Sequence, residues 1–134
     1  MKVCKFGGTS LANAEQVAKI VDIVLADPER RIVVVSAPGK RTKDDVKVTD
    51  LLMACAELAL VDGDYEAALA AIVERYAEIQ RELGLPDGIT AEIEKDLRFR
   101  LAGDKSHRGI FLASMKAAGE DNSAKLVAQA FQSR

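Results

Sequence analysis

A chain of 134 residues, 49% hydrophobic and 30% charged, has single-domain size and globular composition, which sets intrinsic disorder aside. Its 19 basic and 21 acidic residues leave a formal charge of -2, too balanced for a global attraction to nucleic acid or to an anionic membrane. An aromatic content of 4% without tryptophan offers no stacking platform for bases.

The chain begins with a short apolar run, Met1 to Phe6, that reads as a buried strand. Within it lies the stretch Lys5-Phe6-Gly7-Gly8-Thr9-Ser10, a strand end, a tight glycine turn and a helix start. Adjacent glycines remove the Cβ atoms that would hold a ligand off the main chain, and amides at a helix N-terminus favour an anion. Lys5 adds a full charge, and Thr9 and Ser10 offer a helix cap or hydroxyl donors. The chemistry suggested is phosphate handling, although the stretch is neither a P-loop nor G-x-G-x-x-G, and a plain strand-to-helix turn with a surface lysine fits these local features equally well. The N-terminus is neither a signal peptide nor a membrane span, so the expected location is the cytoplasm.

From Leu11 to Ala26, Val17, Ile20, Val21 and Val24 recur at helical spacing, and Asp27-Pro28 ends the helix. The run Ile32 to Ser36 is continuous and β-branched, as a strand covered on both faces requires. Strand, helix and strand make a right-handed βαβ unit with parallel strands. Ligands collect at the carboxyl edge of such sheets, which brings Ser36-Ala37-Pro38-Gly39 to the side of Lys5 to Ser10. Residues 40–47 are almost all charged or polar and read as a mobile surface loop, either simply solvated or placed to gate the site.

Thr49-Asp50 is placed to cap a helix from about Leu51 to Val61, closed by Asp62-Gly63-Asp64. Tyr65, Leu69, Ile72, Tyr76, Ile79 and Leu83 then mark a second helix, stopped by Gly84, so that the two form an antiparallel hairpin. The tyrosines read as helical core. Pro86-Asp87-Gly88 is a turn, Thr90 a candidate cap, and Ile93, Leu97 and Leu101 a further helix ending near Gly103. The last helix runs from about Arg108 to Phe131, with Gly119 as its weak point. Cys4 and Cys55 read as small buried hydrophobes of a reducing compartment, a disulfide being the lesser alternative. With the single histidine, His107, they form no metal-ligand cluster. Two strands are too few to bury five helical faces, so the expectation is that the chain is the beginning of a larger α/β domain.

Lys5-Phe6-Gly7-Gly8-Thr9-Ser10 resembles the N-terminal signature of aspartokinases, in the amino acid kinase family. Val35-Ser36-Ala37 resembles that family's second strand end, Val48-Thr49-Asp50-Leu51-Leu52 its threonine-bearing helix start, and Gly119-Glu120-Asp121-Asn122-Ser123-Ala124-Lys125-Leu126 its glycine-glutamate motif. These motifs, in order, cover nearly the whole chain. The resemblance implies an α/β fold, an amino acid kinase-like three-layer α/β/α sandwich present only in part: residues 1–134 would be the N-terminal portion of the catalytic domain, without the rest of it and without regulatory ACT domains.

The implied reaction is transfer of the ATP γ-phosphoryl group, with Mg2+, to the side-chain carboxylate of L-aspartate, the first step of lysine, threonine and methionine biosynthesis. Lys5 would be the catalytic residue and, with Gly7, Gly8, Thr9 and Ser10, would bind the ATP phosphates; Ser36, Thr49 and Glu120 would bind aspartate. No residue of the chain is assigned to a metal, and Asp121-Asn122 receive no role. The partners implied are L-aspartate and MgATP, with a homo-oligomer for the full-length protein and neither nucleic acid nor membrane. Later family motifs, which hold the substrate carboxylate with an arginine, orient the lysine with an aspartate and form the base pocket, lie outside these residues, so the chain alone is expected to be inactive. Two alternatives stay open: a phosphate-binding or interaction module that has lost catalysis, and another amino acid kinase acting on glutamate or a small acid.

Overall fold

The computed structural model describes residues 1–134. Its two strands, β1 (Lys2–Lys5) and β2 (Arg30–Val34), pair in parallel with Val3 beside Ile32, Cys4 beside Val33 and Lys5 beside Val34. The crossover between them is helix α1 (Ala14–Leu25), which buries Val17, Ile20, Val21 and Val24, the face its spacing announces. Four helices follow: α2 (Val48–Leu60), α3 (Glu66–Glu82), α4 (Gly88–Leu101) and α5 (Arg108–Gln132). All the elements expected from the sequence are present, within a few residues of their expected limits.

The helices share one continuous core, in which Leu52, Ile72, Tyr76, Ile93, Leu97 and Met115 are essentially inaccessible. Between α3 and α4, Gly84 takes φ +68, a left-handed conformation that glycine adopts without steric cost, and Leu85 N–H returns to Gln80 O at 2.9 Å. Buried Gln80 fastens that turn, donating to Leu85 O at 2.9 Å and accepting from the Thr90 hydroxyl at 2.9 Å. Thr90 therefore lies inside α4 and caps nothing; the N-cap is Asp87.

The strand pair differs from expectation. A β-branched run predicts cover on both faces, yet Val3, Ile32 and Val34 remain exposed at 63, 43 and 44%. Strand side chains alternate, so these residues and Lys5 share the uncovered face, while half-buried Cys4 and Val33 turn to the other. Along β2, an apolar groove of about 400 Å³ opens between Val24, Val33, Val35, Val127 and Phe131. Both cysteines are free; Cys55 is buried and Cys4 half-buried. No helix is long and apolar enough to cross a membrane.

Candidate functional site

The ends of the two strands are tied together before any ligand is considered. Phe6 N–H donates to Val34 O at 2.9 Å, which carries the parallel ladder one residue past β1. The Ser36 hydroxyl donates to Phe6 O at 3.2 Å. Lys5 thus stands at a fixed strand end, exposed and without an ion-pair partner among the salt bridges of the chain.

Beyond Phe6 the chain does not enter α1 directly. Gly8–Leu11 form one 3-10 turn, and the cap of α1 is Asn13, whose side chain accepts from Gln16 N–H at 3.0 Å. Thr9 and Ser10 are therefore not helix caps. The reason is visible in the sequence: Asn13 is itself a strong N-cap residue immediately before the apolar periodicity begins. The consequence is that the residues directly after β1, at the carboxyl edge, are those of the loop and its 3-10 turn rather than the first turn of α1. Ser10 N–H is used within the turn, bonded to Gly7 O at 3.1 Å, whereas those of Gly7, Gly8 and Thr9 donate to no other group of the chain. Three free donors beside an unpaired ammonium suit an anion.

The glycine loop rests on the segment that follows β2. Gly39 N–H donates to Gly8 O at 2.7 Å, and a Cβ on Gly39 would stand 2.7 Å from the Gly8 carbonyl carbon. Only glycine permits that approach. Pro38 O in turn accepts from Val48 N–H at 2.9 Å, which fixes the start of α2 against the same segment. Helix α2 therefore begins earlier than Thr49-Asp50 suggested: buried Val48 is its first residue, Lys47 is its N-cap without a side-chain bond, and Thr49 lies half-buried in the first turn. Thr49 is not a cap; it follows Val48, the residue bonded to Pro38 O in the loop after β2.

Helix α5 reaches the same place through Gly119. A Cβ there would lie 2.6 Å from Ala37 Cβ and 3.2 Å from Leu52 Cδ1, so the helix touches the Ala37 segment at a residue without a side chain. Gly119 lies inside an unbroken helix and is not a weak point in it. The hydroxyl of buried Tyr76 donates to Gly119 O at 2.8 Å, and burial holds the phenol well above its ordinary pKa, so it keeps the proton it donates. The next residue, Glu120, is exposed and has no ion-pair partner. Asp121 and Asn122 turn to α4, where they bind Arg100 Nη2 at 2.7 Å and Asp96 Oδ2 at 2.9 Å. These two residues are fastenings of α5.

Main-chain bonds thus join the glycine loop after Lys5 to the segment after β2 through Gly8 and Gly39, the Ser36 hydroxyl ties that segment to Phe6, and Pro38 O holds Val48, the residue before Thr49; Gly119 seats α5 on Ala37 of the same segment, with exposed Glu120 next in the chain. The 40–47 loop is exposed, yet it is held. Arg41 grips Asp45 through Nε at 2.7 Å and Nη2 at 3.0 Å, and reaches Glu78 at 2.9 Å. Its guanidinium keeps the Asp45 carboxyl well below the ordinary carboxylate range. Arg75, only 5% exposed, donates to Val46 O and Gly39 O at 2.6 Å each. Sequence reasoning passed over Arg75, although its position offers a signal: it lies three residues after Ile72 and four before Ile79, on the stripe that α3 turns to the core. His107 is the N-cap of α5, its Nδ1 accepting from Ile110 N–H at 3.2 Å. No group of three or more His, Cys, Asp or Glu side chains converges anywhere in the chain.

Comparison with known proteins gives the family and the fold. The amino acid kinase family model matches residues 1–134. Aspartokinase 3 of Bacillus subtilis (strain 168) is 52% identical over 132 residues, 98% of this chain and 29% of that protein. The crystal structure of Clostridium acetobutylicum aspartate kinase superposes with a TM-score of 0.82 at 29% identity, covering 97% of this chain and 29% of the other. Escherichia coli aspartokinase III in complex with aspartate and ADP superposes with a TM-score of 0.75 at 29% identity, over 97% of this chain and 28% of that one. The chain therefore spans less than a third of the length of these relatives, its partial α/β fold is theirs, and it belongs to the amino acid kinase family.

Proposed function

We propose that the chain is the N-terminal portion of an aspartate kinase catalytic domain, carrying the phosphate loop and much of the aspartate site. One observation supports the reading: Gly119 is seated on Ala37, so the helix that carries the unpaired carboxylate of Glu120 packs on the segment whose Gly39 is bonded to the glycine loop, with its unpaired ammonium and three free amides. One end of such a site suits phosphate and the other suits an amino acid.

Lys5 and the amides of Gly7, Gly8 and Thr9 bind the ATP phosphates, with the hydroxyls of Thr9 and Ser10 completing the loop. The Ser36 hydroxyl gives its proton to Phe6 O, which leaves its lone pairs to accept from the aspartate ammonium. Glu120 supplies the opposing charge for that ammonium, and the Thr49 side chain binds the rest of the substrate. The attacking group is a carboxylate, ionised at neutral pH, so no general base is required. Catalysis then consists of aligning two anions and offsetting their repulsion, and Lys5 is the group whose charge acts on the moving phosphoryl. Mg2+ would be carried by the nucleotide phosphates, where it would help to neutralise the charge of the phosphoryl group.

The test is trapping of the acyl phosphate as a hydroxamate. The full-length protein forms aspartyl hydroxamate from L-aspartate, MgATP and hydroxylamine, and residues 1–134 alone form none. Hydroxamate from glutamate but not aspartate contradicts the substrate assignment. ATP binding without any hydroxamate favours the module that has lost catalysis.

A further inference from the structure

We infer that Arg75, in the middle of α3, is a positioning residue that aims the Thr9 amide of the phosphate loop through Gly39. The inference rests on the phosphoryl-transfer reading above and adds a residue that none of the motifs contains.

A nearly fully buried guanidinium needs hydrogen bonds to offset its desolvation. Arg75 finds them in two carbonyls of one loop, Gly39 O and Val46 O, each at 2.6 Å, with Asp45 Oδ2 at 3.8 Å as counter-charge. These bonds clamp the two ends of the 39–46 segment, so the conformation of Gly39 is set from α3. Gly39 N–H then donates to Gly8 O at 2.7 Å. The Gly8–Thr9 peptide is planar and trans, with its oxygen and hydrogen on opposite sides. An oxygen turned toward Gly39 therefore sends the Thr9 N–H away from Gly39, as a free donor. Loss of the clamp releases Gly39, lets the Gly8–Thr9 peptide rotate, and removes a donor aimed at the phosphates. Tyr76, the next residue of the same helix, bonds instead to Gly119 O beside Glu120, which makes it a matched control on the acceptor side.

The experiment uses the full-length protein and two independent readouts: calorimetric affinity for ATP, and KM for each substrate in the hydroxamate assay. Arg75→Met is expected to weaken ATP affinity and raise KM for ATP by about tenfold or more, with KM for aspartate within about twofold of the parent, because a misplacement of less than an ångström acts only on the phosphate end. Arg75→Lys, which keeps the charge and one of the two bonds, should recover part of the loss and serves if Arg75→Met does not fold. Tyr76→Phe should leave ATP affinity unchanged. An Arg75 variant that is folded by circular dichroism and binds ATP as the parent does overturns the inference, as does a fall in stability with both KM values unchanged. The two readings separate cleanly: ATP binding weakened by Arg75→Met in a protein that makes no aspartyl hydroxamate upholds the clamp and refutes the substrate, whereas a parent protein that binds no ATP refutes both.

Discussion

Replacing Gly119 with alanine tests the joint on which the candidate site depends. Two effects oppose each other. Alanine is a better helix former than glycine by about 1 kcal/mol, which acts to stabilise α5. Against this, the new methyl would stand 2.6 Å from Ala37 Cβ and 3.2 Å from Leu52 Cδ1, whereas carbon atoms settle at about 3.5–4.0 Å. Ala37 has little room to retreat, since its segment is fixed by Gly39 N–H to Gly8 O and Val48 N–H to Pro38 O, so α5 must move by about 1 Å. Overpacking costs about 1–3 kcal/mol, and an approach of 2.6 Å, far inside carbon contact, falls in the upper part of that range, at about 2–3 kcal/mol, so the balance is a net destabilisation of about 1–2 kcal/mol. The assay is urea denaturation of the chain, with the midpoint falling and the slope unchanged. Removing the obstructed methyl in Gly119→Ala/Ala37→Gly should return part of the loss, giving a favourable coupling between the two sites. A Gly119→Ala chain as stable as the parent, or more so, would mean that helix propensity governs this position and that α5 does not touch the Ala37 segment.

Three further outcomes are expected. Burial raises the Cys55 thiol to about 11, with the Glu66 charge a smaller cause, so at neutral pH the native chain should alkylate at Cys4 and resist at Cys55 until unfolded; labelling followed by peptide mass analysis reads this, and rapid native labelling of Cys55 would contradict the packing of α2. Asp45 has a folded pKa held below its unfolded one, chiefly by the Arg41 hydrogen bond, so its contribution is fully present above about pH 4 and is lost as pH falls through the folded value. Asp45→Asn should therefore lower the denaturation midpoint near pH 6, and the gap from the parent should close toward pH 2; a gap independent of pH would contradict the Arg41–Asp45 clamp. In the full-length protein Glu120→Gln should raise KM for aspartate by about tenfold or more with KM for ATP little changed, because it removes the opposing charge at the ammonium alone.

Much of this arrangement is legible in the residues because local rules and topology agree. The glycine pair after an apolar run, the proline after Asp27 and the β-branched run at Ile32 fix a βαβ unit, and the unit fixes which loops share an edge. Where the reading erred, a tertiary contact overrode a local signal. Thr49 has the side chain of a cap, but burial of Val48 draws the helix start back to it. Thr90 is diverted to buried Gln80, and Asn13 takes the capping role assigned to Thr9 and Ser10. Gly119 looks like a defect by propensity, and only the opposed Ala37 gives it a reason. The uncovered face at Val3, Ile32 and Val34 shows the converse, since a strand's composition records what covers it in the complete domain, whichever residues are present.

The most direct test of the phosphate loop is Lys5→Ala in the full-length protein, read as the rate of aspartyl hydroxamate formation at saturating L-aspartate and MgATP. Lys5 is unpaired and stands at a strand end fixed by the neighbouring main-chain bonds, so its removal should leave the fold intact and lower turnover by about 10²-fold or more, as expected when a charge acting on the transition state is lost. Turnover in Lys5→Ala equal to that of the parent would contradict the assignment of this loop as the phosphate end of the site.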